Sequence, residues 1–326
     1  MHALDSDKMT GIINQQPHST SSLAPIVLFV YNRPWHTQKT VEALKKNELA
    51  EQSDLIIYAD APKNDQAGSK VQEVRSYLKT ISGFKSIKIV EREENWGLAK
   101  SIITGVTEVV NHSGKIIVLE DDIVTSPAFL SFMNQALDFY QSEQKVWHIS
   151  GWNYPIDLSG LGEVFLSRVM NCWGWATWAD RWAHFEKNPV SLIRNWTDQQ
   201  KLHFDLDGSG VFWHQVMANA EGKLNTWAIF WYAVIYSNNG LCLNPTITYV
   251  DNIGHDGSGV NCGNSQTIKR TNITLETNVH VKWLTRIEES SLAIEAIKLY
   301  YRTQRKSFLS RVINKIGRLT IGRNFI

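Results

Sequence analysis

Glu120, Asp121 and Asp122 stand side by side directly after the apolar run Ile116-Ile117-Val118-Leu119. Three carboxylates at one point suit a hard divalent ion, Mn2+ or Mg2+, which prefers oxygen ligands and can act as a Lewis acid toward a leaving diphosphate. The same row also reads as a solvated acidic turn, favoured by the positive end of the helix that Ser126-Pro127 announces as N-cap and first helical residue. The three acids by themselves leave both readings open. His255 lies in a stretch rich in Gly and Asn, Asn252-Ile253-Gly254-His255-Asp256-Gly257. Such backbone suits a loop that closes over a ligand, and a neutral imidazole can complete a metal site; an exposed loop histidine is the plainer reading. The chain has 13 Trp, a residue whose flat apolar face stacks well on sugar rings. Trp152, Trp173 and Trp175 are the candidates for that role, with core packing the alternative for each.

Strands and helices must position these residues. From Pro25 to Ser150 short runs rich in Ile and Val alternate with helical patterns, the signature of a parallel sheet covered by helices. The expected strands are Ile26–Tyr31, Leu55–Asp60, Ile87–Glu91, Ile116–Glu120 and Val146–Ser150. Leu98, Ile102, Val106 and Val109 recur at helical spacing after Gly97, as do Phe129, Met133, Leu137 and Tyr140 after Pro127. A strand such as Ile116–Leu119 is apolar on both faces, so polar groups first appear where it leaves the sheet, the edge at which open α/β sheets bind ligands. After Gly151 the sequence becomes aromatic-rich and irregular, and residues 151–262 are expected to form an acceptor-side lobe on the same sheet.

Composition narrows the class. With 43% hydrophobic residues the chain can bury a large core, and a net charge of +1 gives no global reason to bind nucleic acid. Cys172, Cys242 and Cys262 are an odd number without metal-ligand spacing, which argues against a disulfide framework or a zinc site. No apolar run reaches the roughly 18 residues of a spanning helix, and residues 1–24 are polar, so a cytoplasmic location is expected. From Tyr301 to Ile326 there is no acid, while Phe308, Leu309, Val312, Ile313 and Ile316 fall at helical spacing among seven Arg and Lys. This basic amphipathic tail could lie on the inner face of an anionic membrane, or dock on the sheet by its apolar face.

Several segments together resemble the GT-A glycosyltransferases related to N-acetylglucosaminyltransferase I. They are Pro25–Pro34, Tyr58-Ala59-Asp60, Val118–Ile123 with Ser126–Phe129, Val146–Asn153, Cys172–Trp175, Gly240–Pro245 and Asn252–Gly257, in the family's order over residues 25–260. The resemblance implies a Rossmann-like, mostly parallel GT-A α/β domain. Residues 25–150 would bind the nucleotide sugar, residues 151–262 would supply the acceptor side and closing loop, and residues 263–326 would be an extension. It also implies Asp122 as the direct metal ligand, with Glu120 and Asp121 near the donor sugar and ribose, and Arg33 and Asp60 holding the nucleotide. Asn95-Trp96-Gly97 with Lys100 resembles the donor-side loop before a helix, where a helix start and a cation favour a diphosphate. One departure stands out: the family's Asp before the Trp that aligns with Trp227 is here Asn225-Thr226, and neither can act as general base. Either another residue does the work, with His214 the provisional base and Glu221 and Asp256 as other candidates, or the reaction retains configuration, or the chain has lost activity.

The expectation is therefore a metal-dependent, inverting transfer of a hexose or N-acetylhexosamine from a UDP-sugar to a lipid-linked glycan acceptor. Two rivals stand beside it: a non-catalytic glycan or nucleotide-sugar binder, and a nucleotidyltransferase, which would usually carry a Gly-rich triphosphate loop.

Overall fold

A computed structural model describes residues 22–257, 279 and 281–304. Most of the 1–24 segment, Cys262, much of the 263–326 extension and the basic segment beyond Gln304 lie outside it. The first half runs β1 (Ile26–Val30), α1 (Pro34–Leu44), β2 (Asp54–Ala59), α2 (Asp65–Leu78), β3 (Ser86–Glu91), α3 (Gly97–Ser113) and β4 (Lys115–Glu120). Then come β5 (Ile123–Thr125), α4 (Phe129–Phe139), β6 (Val146–Ser150), β7 (Val164–Ser167), β8 (Trp175–Trp178), α5 (Ala179–Trp182) and α6 (Pro189–Asn195). The chain continues through α7 (Asp198–Phe204), α8 (Phe212–Ala220), α9 (Ala228–Ser237), β9 (Leu241–Pro245), β10 (Val250–Asn252) and α10 (Ser291–Gln304).

Eight of these strands form one mixed sheet in the order β3-β2-β1-β4-β8-β6-β9-β7. Among the described strands of this sheet only β7 and β8 run against the rest, so the fold is α/β with a mostly parallel sheet. The five strands expected from the sequence are present, differing by at most one residue at either end. In β4, Ile116, Ile117, Val118 and Leu119 are all 0–1% exposed, and each such side chain contributes roughly 1.5–3 kcal/mol through burial. The chain after residue 150 belongs to the same sheet, because β8 slots between β4 and β6 while β9 and β7 extend it. Helix α4 begins later than the Ser-Pro pair suggested. It is preceded by Ala128, which makes no side-chain cap, and Ser126 accepts from the Phe129 N–H through its backbone carbonyl at 3.2 Å.

The C-terminal segment covers the sheet's edge, where β7 would otherwise present unpaired backbone. Ser290 N–H donates to Leu166 O at 2.8 Å, Arg168 N–H donates to the Glu289 carboxylate at 2.7 Å, and the two side chains form an ion pair. Ala293, Ile294 and Ile297 of α10 are buried. Tyr301, where the basic tail was expected to begin, is in the last turn of α10, with its hydroxyl 3.1 Å from that of Tyr154.

His148, in the middle of β6, is fully buried and stacked on Trp175 at 5.5 Å. The Trp231 indole donates to Nδ1 at 3.2 Å, so the ring proton sits on Nε2, 2.9 Å from Asn171 O. Burial pushes this imidazole down to about 3, against the smaller upward pull of the Asn171 bond. The unfolded chain takes up this proton near pH 6.5 and the folded chain only near pH 3. Stability from this residue is therefore intact above pH 6.5 and lost as pH falls toward 3, by up to about 1.4 kcal/mol per unit. His148→Gln, which can still accept and donate, is expected to flatten the melting temperature between pH 6.5 and 4. An unchanged pH slope in that variant would refute the assignment.

Candidate active site

The acidic row sits where β4 leaves the sheet beside β1, with Glu120 in register with Phe29. Its backbone is clamped from two sides. From α1, Thr40 Oγ1 donates to Asp121 O at 2.9 Å, and from the turn after that helix Asn47 donates to Thr125 Oγ1 at 3.0 Å while accepting from Leu130 N–H at 2.9 Å. From the other side β10 pairs antiparallel with β5, and Ile253 N–H donates to Asp122 O at 2.9 Å. Backbone groups are thus satisfied within the protein and the carboxylates are left to side-chain chemistry.

Their principal partner is Arg33, at the entrance to α1. Its Nη2 lies 2.8 Å from Asp122 Oδ2 and also pairs with the Asp121 carboxylate, while Nη1 is buried with no partner. Burial alone would lower the guanidinium, but Asp121 and Asp122 outweigh it and hold Arg33 above its ordinary value. Burial first, then Asp122 and Asp121, push the Glu120 carboxyl up to about 8. Asp121 is also raised by burial, against the pull of Arg33. One guanidinium thus counters three crowded acids, and Glu120 is held above the ordinary carboxylate range.

The loop after β10 packs against the acidic turn. Gly254 N–H donates to Asn252 Oδ1 at 2.7 Å, His255 meets Trp173 edge-on at 5.3 Å, and Asp256 Oδ2 lies 3.1 Å from His36 Nε2. Both His255 ring nitrogens are buried without a hydrogen-bond partner. A Cβ on Gly254 would stand 2.1 Å from Asp122 Oδ2 and 3.0 Å from Arg33 Nη1, so only glycine lets this loop touch the acids. Gly254→Ala is expected to displace the loop and to abolish stabilisation by a nucleotide with Mn2+, while the sheet still melts cooperatively. A wild-type response in a thermal-shift titration of that variant would show that the contact is dispensable.

The donor-side loop is built differently from the expectation. Asp60 is buried and its carboxylate is engaged four times: by Ala61 N–H at 3.0 Å, Trp96 N–H at 2.9 Å, Gly97 N–H at 2.9 Å and Asn95 Nδ2 at 3.1 Å. Asn95 also donates to Ala61 O at 2.7 Å. Asp60 therefore caps the start of α3 and fixes the loop. The Gly97 N–H, the first of α3, which was expected to favour a diphosphate, points instead at Asp60. Lys100 lies over the Trp96 ring at 4.3 Å, as does Arg92 at 3.8 Å, so both cations flank this aromatic.

The three tryptophans divide. Trp175 is 0% exposed, packed on Trp227, Trp182 and His148, and cannot reach a sugar. Trp152 is also buried, against Tyr154 and Trp173, though its Nε1 and the neighbouring Asn153 Oδ1 have no partner. Trp173 is half-buried beside His255. His214 is exposed on α8, which packs against α6, α7 and α9, and no hydrogen bond or ion pair joins it to the acidic turn among the described residues. At the departure from the family, Thr226 Oγ1 accepts from Asn219 at 2.9 Å and Asn225 pairs with Lys187. Sequence reasoning missed His36, Thr40 and Asn47, and Gly254 as a contact. The first two had a signal: with Thr37 they are polar residues at helical spacing on the buried face of α1.

The donor set at this edge suits a hard cation: carboxylates of Asp121 and Asp122, and an unpartnered buried imidazole at His255. Among the described residues no three of His, Cys, Asp and Glu are grouped as a ready cage, and it is Arg33 that the aspartates face.

No protein-family model matches the sequence, and no curated protein does. Solved structures overlap it loosely. The mannosyltransferase PcManGT from Pyrobaculum calidifontis, in complex with GDP-Man and Mn2+, shares 12% identity at a TM-score of 0.39 over 68% of this chain and 73% of that one. S. aureus TarS 1-349 shares 10% identity at a TM-score of 0.40, covering 69% of this chain and 59% of that one. A further S. aureus TarS structure gives 10% identity and 0.41, covering 69% and 36%. This chain thus spans less than two thirds of either TarS structure.

Proposed function

We propose that the chain is a glycosyltransferase that moves a hexose or N-acetylhexosamine from a nucleotide-diphosphate sugar to a glycan acceptor, with Mn2+ or Mg2+ held by Asp122. The observation that carries this reading is the cluster of buried, unpartnered polar atoms around the acidic strand end: Arg33 Nη1 and both His255 nitrogens, with Trp152 Nε1 and Asn153 Oδ1 across Trp173. Buried donors and acceptors left unpaired in a native fold are expected to meet a ligand or ordered water. The order of segments that resembles the GT-A enzymes supports the same reading.

In this reading Asp122 and His255 hold the ion and Arg33 addresses the diphosphate. Asp60, through Asn95, Trp96 and Gly97, keeps the nucleotide loop in shape, and the half-buried Trp173 contacts a sugar. When bound, the cation would neutralise the departing diphosphate as the bond from the anomeric carbon to phosphate oxygen breaks. The acceptor hydroxyl oxygen forms the new bond to that carbon, and its proton passes to solvent as the nucleoside diphosphate leaves. Inversion with UDP as the nucleotide, and a lipid-linked acceptor on an anionic membrane, belong to the proposal through the resemblance and the basic C-terminal sequence. No helix among the described residues is long and apolar enough to cross a membrane.

The test is a thermal-shift screen of UDP- and GDP-sugars with and without Mn2+, followed by product analysis. A donor at a hundred times its Kd stabilises the native state by about 2.7 kcal/mol, and that shift is expected only with the cation present. Product of inverted anomeric configuration would complete the case. A cation-dependent shift with no transfer to any glycan would favour a binding protein instead.

A further inference from the structure

Arg33 stands in an unusual position for a nucleotide-binding residue, because its guanidinium is already spent on the acids. Nη2 is shared between Asp121 and Asp122, with the Asp122 contact at 2.8 Å on Oδ2. That oxygen also packs against the Gly254 backbone, 2.1 Å from where a Cβ would sit. A divalent ion on Asp122 and a guanidinium on the same carboxylate would be like charges a few ångströms apart, so the two compete. The arginine's backbone is held while its side chain is not covalently constrained: Arg33 O accepts from Thr37 N–H at 3.0 Å and from Thr37 Oγ1 at 2.9 Å. Nη1 meanwhile is buried with no partner, a spare donor on a planar fork suited to two phosphate oxygens.

We propose that Arg33 is an exchanging counter-ion: it neutralises Asp121 and Asp122 while the cleft is empty, and passes to the diphosphate oxygens of the donor when the cation takes Asp122. The inference rests on the reading of Asp122 as the cation's ligand. It gives Arg33 two alternative partners, the aspartates and the diphosphate. It also makes cation and nucleotide binding interdependent, since each relieves the charge that the other's arrival exposes. The empty cleft is then expected to hold Mn2+ weakly.

The experiment measures Mn2+ affinity by titration calorimetry on the full chain, without nucleotide, for the wild type, Arg33→Met, Arg33→Lys and Asp122→Ala. Arg33→Met is expected to bind Mn2+ about tenfold or more tightly than the wild type, because the competing charge is gone. Arg33→Lys should fall between, and Asp122→Ala should bind none. UDP affinity in the presence of Mn2+ should move the other way, weakening in Arg33→Met. If Asp122→Ala loses Mn2+ while both Arg33 variants bind it no better than the wild type, the exchange is overturned and the metal-site reading stands. If Asp122→Ala binds Mn2+ like the wild type, or none of the four proteins binds it, the reading and the exchange fall together. Should Arg33→Met not fold, Arg33→Lys decides by the same criterion.

Discussion

Asp122→Ala is expected to lower sugar transfer by about a thousandfold or more and to leave the fold intact. A cation that stabilises developing charge on a leaving diphosphate supplies several kcal/mol to the transition state, and about 4 kcal/mol corresponds to a factor of roughly a thousand. The structural consequence should be the opposite of a typical buried substitution. Asp122 is 4% exposed and stands beside Asp121 and Glu120, and it is the largest electrostatic cause of the rise in Glu120. Removing it relieves that repulsion, while Arg33 keeps Asp121 as partner. The melting temperature without ligands should therefore stay level or rise, and the stabilisation by Mn2+ with a nucleotide should vanish. Parallel measurements of turnover and melting check both halves. Full activity of the variant, or of the wild type in excess chelator, would remove Asp122 from the mechanism.

The second large effect is expected at Asp60, and there stability should be lost. Asp60→Ala leaves Ala61 N–H, Trp96 N–H, Gly97 N–H and the Asn95 amide without their acceptor. Hydrogen bonds to a charged group contribute about 1.5–3 kcal/mol each, and partial access of water to this loop recovers some of that, so a net cost of about 3 kcal/mol is expected. Denaturant unfolding should show a lower midpoint at an unchanged slope, because the surface exposed on unfolding is the same. Donor affinity should fall with it, since the loop before α3 loses its anchor. Asp60→Asn, which keeps one oxygen, should lie between. A variant as stable as the wild type but unable to bind nucleotide would instead give Asp60 the direct contact that the family resemblance implies.

Local patterns made much of the architecture legible. The runs Ile26–Val30 and Ile116–Leu119 are continuous and apolar because both faces of a central parallel strand are covered, and that continuity is a property of neighbouring residues. The place of the acids followed from the same fact, since polar groups can appear only where such a strand leaves the sheet. Other elements carried no readable period. Helix α9 is apolar on nearly every side, with Ile229, Phe230, Trp231, Tyr232, Ala233 and Ile235 buried, so it showed no amphipathic face. β8 is four residues long and takes its place between β4 and β6 only through pairing.

What the sequence by itself determined is the alternation of β1 to β4 with their helices, the burial of Ile116–Leu119, and an acidic row at the end of that strand. Tertiary structure alone decided the partners. Arg33 meets Asp121 across 88 positions of sequence, Asp60 caps a helix 37 residues away at Gly97, and Trp175 is enclosed by Trp227 and His148. The physical reason is one of range. Hydrophobic periodicity is written in residues a few positions apart, where a strand or helix must repeat it, whereas a carboxylate's partner depends on which chain ends the sheet brings together. A lone Arg, Asp or Trp reads the same in the sequence whether it faces solvent, a ligand or another side chain.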